Sequence, residues 1–176
     1  IGGRKISNFV DLNGNGRPDL IVSESGYGNE VWRNLNSGWQ RDDRWKLPQY
    51  LYENSGGHSV SRGELIDLDG DGLPDLVISR VGAPSATWIN DYGNNPNCTG
   101  ESCFWRRSVA HDLKHVLHGV AHPYGVLVDL TGNGLPDHVN FIGDVAGNYF
   151  NQVDGWSSMS GVLAVPTHMY TTTGQR

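Results

Sequence analysis

Asp67-Leu68-Asp69-Gly70-Asp71-Gly72-Leu73-Pro74-Asp75 is the stretch whose reading decides how this chain folds. Nearly the same nine residues stand at Asp11-Leu12-Asn13-Gly14-Asn15-Gly16-Arg17-Pro18-Asp19 and at Asp129-Leu130-Thr131-Gly132-Asn133-Gly134-Leu135-Pro136-Asp137. Oxygen-bearing side chains fall at positions 1, 3, 5 and 9 of the motif, with glycine at 4 and 6. A hard cation such as Ca²⁺ takes about six to eight oxygen ligands at about 2.3–2.6 Å. Alternating acidic and amide residues, bent back by glycines that reach left-handed backbone angles without strain, can supply such a shell from one short loop. Three copies in one register make the pattern specific.

The flanks separate this loop from the helix-bounded calcium loop that also begins Asp-x-Asp-x-Asp-Gly. That loop needs a bidentate Glu at position 12 and a helix on each side. Position 12 here is Val22, Ile78 and Asn140. Position 8 is proline in every copy, which disfavours a helical conformation at the residue before it. Phe9-Val10 precedes and Leu20-Ile21-Val22 follows the first loop. Leu65-Ile66 and Leu76-Val77-Ile78 frame the second, and Val126-Leu127-Val128 leads into the third. Such β-branched, apolar runs bounded by glycine and proline predict strands, so each loop joins two strands.

The repeat extends past the loop. Its first Asp recurs after 56 residues and then after 62. Val31-Trp32-Arg33-Asn34, Thr87-Trp88-Ile89-Asn90 and Tyr149-Phe150-Asn151 occupy matching places downstream, and Gly38-Trp39 and Gly155-Trp156 follow in the first and third copies. Each unit therefore reads as strand, metal loop, strand, turn, aromatic strand, turn and a further strand. The expected architecture is all-β: three propeller-type blades of about four antiparallel strands, spanning approximately residues 1–60, 61–122 and 123–176 of a single repeat domain.

In these residues the chain resembles the FG-GAP/VCBS repeat family, which includes calcium-bearing blades of integrin α-subunit propellers, some fungal lectins and propeller regions of bacterial insecticidal and Rhs-type toxins. The resemblance covers nearly the whole chain. It implies about three Ca²⁺ ions, with side-chain ligands at Asp11, Asn13, Asn15 and Asp19; at Asp67, Asp69, Asp71 and Asp75; and at Asp129, Asn133 and Asp137. It also implies a backbone carbonyl at position 7, from Arg17, Leu73 and Leu135, completing each shell. Thr131 replaces the carboxylate or amide at position 3, which makes the third site the weakest expected.

Composition excludes several classes. The formal net charge is −6 with only 13 Lys plus Arg, which argues against a nucleic-acid surface. No run of about 18 apolar residues is present, so no membrane-spanning helix is expected. The opening residue is Ile1 rather than Met, as in a processed form or a fragment. Glycine is abundant, at 24 residues, as many short strands and turns require. The two cysteines, Cys98 and Cys103, lie where the second copy departs from the pattern. They are expected to close a small disulfide loop; free thiols and half a zinc site are the alternatives. Asn97-Cys98-Thr99 forms a glycosylation sequon. A disulfide, a glycan and weak calcium sites would all place the protein outside the cell or at its surface.

His111, His115, His118 and His122 are spaced 4, 3 and 4 apart and would share a helix face able to bind Zn²⁺ or Cu²⁺. Gly119 and Pro123 interrupt that helix, and the repeat places the stretch in a linker between blades. No nucleophile and base stand out in catalytic order, so an enzyme is not expected. Asn34, Asn90 and Asn151 can bind a ligand or, as the favoured reading, cap turns at the end of the aromatic strand. Trp39, Trp45, Trp105 and Trp156 can stack on sugars but are expected to fill the space between blades.

Propellers close with about four to eight blades, and this chain supplies three. Two open faces follow, to be covered by the rest of a larger propeller or by further copies in a homo-oligomer or filament. The leading expectation is an extracellular, calcium-binding structural or adhesive module; the alternative is a carbohydrate-binding lectin. Three Ca²⁺ ions would also cancel the formal charge of −6, so calcium is expected to promote self-association as well as folding.

Overall fold

A computed structural model describes residues 6–119, 123–140 and 147–159. Its architecture is all-β, in three separate sheets, none closed into a barrel. The first sheet begins with β1 (Ser7–Val10), β2 (Asp19–Glu24), β3 (Gly28–Leu35) and β4 (Gly38–Arg41), paired antiparallel in sequence order. A short 3-10 turn at Asp43–Trp45 follows, then a hairpin of β5 (Tyr52–Ser55) and β6 (His58–Ser61). The hairpin joins the first sheet through a parallel contact of Tyr52 with Glu24. Gly56 and Gly57, which the repeat pattern puts at the end of a unit, form its turn, both at positive φ.

The second sheet is a meander of β7 (Gly63–Ile66), β8 (Asp75–Ile78), β9 (Ala86–Asn90) and β10 (Trp105–Arg107). The third repeats it with β11 (Gly125–Val128), β12 (Asp137–Asn140), β13 (Tyr149–Gln152) and β14 (Gly155–Ser158). The expected order of strand, loop, strand, turn, aromatic strand, turn and strand is thus present in every unit. Each nine-residue motif spans the connection between the first two strands of its blade and ends on the opening Asp of the second.

Alternation along the strands gives each blade two packing faces. On the second blade Leu65, Leu76, Ile78 and Trp88 join the cluster that contains Leu12, Ile21 and Val31 of the first blade. Ile66, Val77 and Ile89, on the opposite face, join the cluster that contains Leu127 and Trp156 of the third. The apolar core therefore lies between blades. A fully buried leucine or isoleucine in it contributes roughly 1.5–3 kcal/mol relative to exposure.

The tryptophans divide by position. Trp45 is fully buried among Tyr92, Phe104 and Trp105. Trp105 donates its indole N–H to the Trp45 carbonyl at 3.0 Å, and Trp156 donates to the His111 carbonyl at 2.9 Å. These three fill the interior, as expected. Trp39 does not: it is 49% exposed and lies against Phe9 with ring centroids 6.2 Å apart.

Cys98 and Cys103 are joined in a disulfide, their Cα atoms 6.0 Å apart. The loop it closes is tied back to the first blade. Ser102 N–H donates to the Asp43 carbonyl at 3.0 Å, and Glu101 pairs with Lys46. Asn97 beside it is exposed.

Candidate metal centres

All three loops fold by one hydrogen-bonding scheme. The position 1 carboxylate curls the loop around itself by accepting from the position 6 glycine: Gly16 N–H to Asp11 at 2.6 Å, Gly72 N–H to Asp67 at 2.9 Å, and Gly134 N–H to Asp129 at 2.9 Å. The position 5 side chain accepts from the position 7 N–H: Arg17 to Asn15 at 2.9 Å, Leu73 to Asp71 at 2.8 Å, Leu135 to Asn133 at 2.9 Å. At position 3 the loops diverge. Asn13 and Asp69 accept from the position 5 N–H at 3.2 and 3.3 Å, whereas the Thr131 hydroxyl donates to Asp129 at 3.4 Å. A hydroxyl turned onto its neighbour's carboxylate is a poorer donor to a cation than Asn13 or Asp69.

The second loop carries a carboxylate at each of positions 1, 3 and 5. Asp67, Asp69 and Asp71 each place a carboxylate oxygen within 4.8 Å of the others. Among the described residues no other group of three or more His, Cys, Asp or Glu side chains meets that condition. Such a set suits a hard, oxygen-seeking divalent ion. Burial raises the Asp71 carboxyl above its usual range, and repulsion from Asp69 and Asp67 adds to this. In the third loop the Gly134 N–H and its neighbours hold Asp129 below that range.

The position 9 aspartates are placed differently from the other acids. Asp19, Asp75 and Asp137 are fully buried. One oxygen of each accepts from the position 2 N–H: Leu12 at 3.3 Å, Leu68 at 2.7 Å, Leu130 at 2.9 Å. The other accepts from the backbone N–H of the downstream asparagine: Asn34 at 2.8 Å, Asn90 at 2.7 Å, Asn151 at 2.9 Å. Each therefore ties the loop to the third strand of its own blade. A carboxylate oxygen has more than one lone pair, so these bonds leave capacity toward a cation. Burial raises Asp19, and pushes Asp75 up to about 7 despite its two backbone donors.

The loops carry one geometry at three places, and the first two fall within a single sequence match. Residues 11–78 match the family described as FG-GAP-like repeat. The chain carries an FG-GAP-like repeat. No curated protein matches it. The third loop lies beyond the matched residues, yet it repeats the FG-GAP-like bonds from the position 1, 5 and 9 side chains one for one.

The asparagines downstream of the loops do more than cap turns. Asn90 does cap one, accepting from Tyr92 N–H at 3.2 Å. Its amide also crosses the blade boundary to donate to the Leu12 carbonyl at 2.8 Å, and Asn151 donates to the Leu68 carbonyl at 2.7 Å. Asn34 donates to the Pro18 carbonyl of its own blade at 3.2 Å.

The histidine series is dispersed. His111, His115 and His118 lie in turns and a β-bridge rather than on a helix, and His122 lies outside the described residues. His111 is within 2.8 Å of the Ser108 hydroxyl, His115 within 3.3 Å of the Tyr149 hydroxyl, and His118 within 3.6 Å of Glu64. The reading from sequence missed His138. It is fully buried beside His115, Tyr149 and Trp156, and neither ring nitrogen has a hydrogen-bond partner among the described residues. Burial, with His115 adding to it, pushes its imidazole down to about 4. The available signal was positional: His138 follows the last loop Asp where Leu20 and Leu76 stand in the other copies.

Proposed function

We propose that this propeller-type module is a structural or adhesive element, working outside the cell or at its surface, in which about three Ca²⁺ ions stabilise the blades. The convergence of Asp67, Asp69 and Asp71 carries this reading. Three carboxylates held so close repel one another, and a divalent cation converts that repulsion into attraction. The side chains at positions 1, 3, 5 and 9 and the position 7 carbonyls of Arg17, Leu73 and Leu135 would hold the ions. The loops sit at the root of the first two strands of each blade, so a cation there supports folding rather than chemistry. We assign the protein no catalytic role.

The disulfide supports the extracellular placement, because such bonds persist in oxidising compartments. A glycan on the exposed Asn97 would agree with it. Among the described residues no helix is long and apolar enough to cross a membrane. Metal analysis of protein dialysed against Ca²⁺, with thermal unfolding in millimolar Ca²⁺ and in EGTA, tests the reading. Bound calcium and a melting point higher by many degrees are expected. Coincident curves with no bound ion would end it.

The exposed Trp39 beside Phe9 favours a second reading, a carbohydrate-binding lectin. Glycan-array binding that Trp39→Ala abolishes would establish it.

A further inference from the structure

One arginine stands apart from the rest. Every other arginine among the described residues pairs with a carboxylate or donates to a carbonyl, as Arg44 does with Asp42 at 2.7 Å and Arg17 with the Asn34 carbonyl at 3.2 Å. Among the described residues the guanidinium of Arg62 reaches neither kind of group, and its Nε is buried with no hydrogen-bond partner. Looseness does not explain this. The Arg62 backbone is pinned between β6 and β7, its N–H donating to the Leu51 carbonyl and its carbonyl accepting from Ser79 N–H, both at 2.7 Å. An arginine stays charged in proteins, and a partly buried charge with no counterpart is costly. Its missing partner is therefore an anion that the chain itself does not supply.

Arg62 lines a cavity of about 400 Å³. Lys46, Leu47, Pro48 and Tyr50, from the stretch between the 3-10 turn and β5, form part of its wall, and Glu101 of the disulfide-closed loop lies across from them. Leu47, Pro48 and Tyr50 offer apolar surface, while Lys46 and Arg62 offer two cations. The first cation is already answered, because Glu101 pairs with Lys46. Arg62 is left as the cation still to be matched. A cavity of this volume, apolar with a few polar groups, suits a small molecule.

We infer that this cavity binds a small organic acid, its carboxylate or sulfate head on Arg62 and its apolar body against Leu47, Pro48 and Tyr50. A guanidinium presents its N–H donors as a planar fork that matches two oxygens of such a head. Lys46 adds attraction from the same cavity, and the Glu101 carboxylate competes with the ligand for it. The site uses no residue of the three loops and goes beyond the structural reading of the chain, so ligand binding and calcium binding can fail separately.

Calorimetric titration in millimolar Ca²⁺ at constant ionic strength tests the proposal, with benzoate, phenyl sulfate, inorganic sulfate and the neutral benzamide as probes. At least one organic anion should bind, and the tighter of the two distinguishes a carboxylate head from a sulfate head. Benzamide should bind about tenfold more weakly or worse, because it lacks the charge. Arg62→Gln should cost the anion a similar factor, and Arg62→Lys, which keeps the charge and loses the fork, should recover only part of it. Glu101→Gln should instead tighten binding several-fold by freeing Lys46. That gain of affinity is not expected of a purely structural ion pair, and it keeps the test decisive if the Arg62 variants do not fold. Failure of both organic anions to bind, benzamide binding equally well, or inorganic sulfate binding as tightly as phenyl sulfate would overturn the proposal. So would an affinity unchanged in folded Arg62→Gln or lowered in Glu101→Gln. The calcium-dependent rise in melting point should be the same in all of these variants.

Discussion

The side-chain amide of Asn90 lies 2.8 Å from the carbonyl of Leu12, 78 residues earlier in the chain. Through this bond the second blade grips the backbone of the first metal loop. Its own backbone N–H is meanwhile held by Asp75 at 2.7 Å, the last residue of the second loop. One asparagine thus couples two loops on adjacent blades, so a change at either loop is felt at the junction.

Asn90→Ala should cost about 1–3 kcal/mol, because it leaves the Leu12 carbonyl buried without a partner. Asn151→Ala should cost a similar amount through Leu68. Asn34→Ala should stay within about 0.5 kcal/mol in a monomeric background, since its amide reaches no neighbouring blade. Urea unfolding of the three variants checks the order; an equal loss at Asn34 would remove the distinction.

Calcium should bind tightest at the second loop and weakest at the third. The second offers four carboxylates, Asp67, Asp69, Asp71 and Asp75, while Thr131 spends its hydroxyl on Asp129 in the third. A site held at 100 times its Kd adds about 2.7 kcal/mol of stability. Asp71→Ala should therefore lose more calcium-dependent stability than Asn133→Ala. Because burial holds Asp75 near 7, binding at pH 6 should also release a proton. Calorimetry in buffers of different ionisation enthalpy reads both effects, and three equivalent sites would contradict the ranking.

Acid should destabilise the fold through His138. Its folded pKa of about 4 lies below the ordinary 6.5. The neutral ring's contribution is thus fully present above pH 6.5 and is lost as pH falls toward 4. The full difference is about 3 kcal/mol at about 1.4 kcal/mol per pH unit. His138→Leu, which restores the residue found at Leu76, should flatten this acid limb in melting experiments at pH 7 and pH 4.5. An unchanged acid limb would show that the loss comes from elsewhere.

Reducing the Cys98–Cys103 bond should cost at most about 2 kcal/mol, since a short loop removes little unfolded-state entropy. Intact mass before and after alkylation establishes the bond, and the melting curve of the reduced protein gives its weight. A collapse of the whole transition would mean that the loop anchors the first blade far more strongly than its contacts with Asp43 and Lys46 suggest.

The local chemistry of this protein was legible in its sequence. Glycines at fixed places force one loop conformation, and a position 1 Asp within reach of the position 6 N–H closes it, so Asp11, Asp67 and Asp129 act alike wherever the chain is cut. Continuous apolar, β-branched runs beside the motifs then predict the strands that each loop joins. The meander of each blade follows from interactions between residues close in sequence.

What the tertiary structure alone decided are the contacts between blades. Asn34, Asn90 and Asn151 hold matching places along the chain, yet Asn90 and Asn151 grip a neighbouring loop while Asn34 bonds within its own blade. Leu12, Leu68 and Leu130 likewise share one place in the motif, and only the last meets water. His138 follows the same rule, since its unpaired nitrogens are set by His115, Tyr149 and Trp156 closing around it. Residues in equivalent positions acquire different energies according to what the next blade places against them. That depends on how the sheets stack, which no periodicity within a single repeat records.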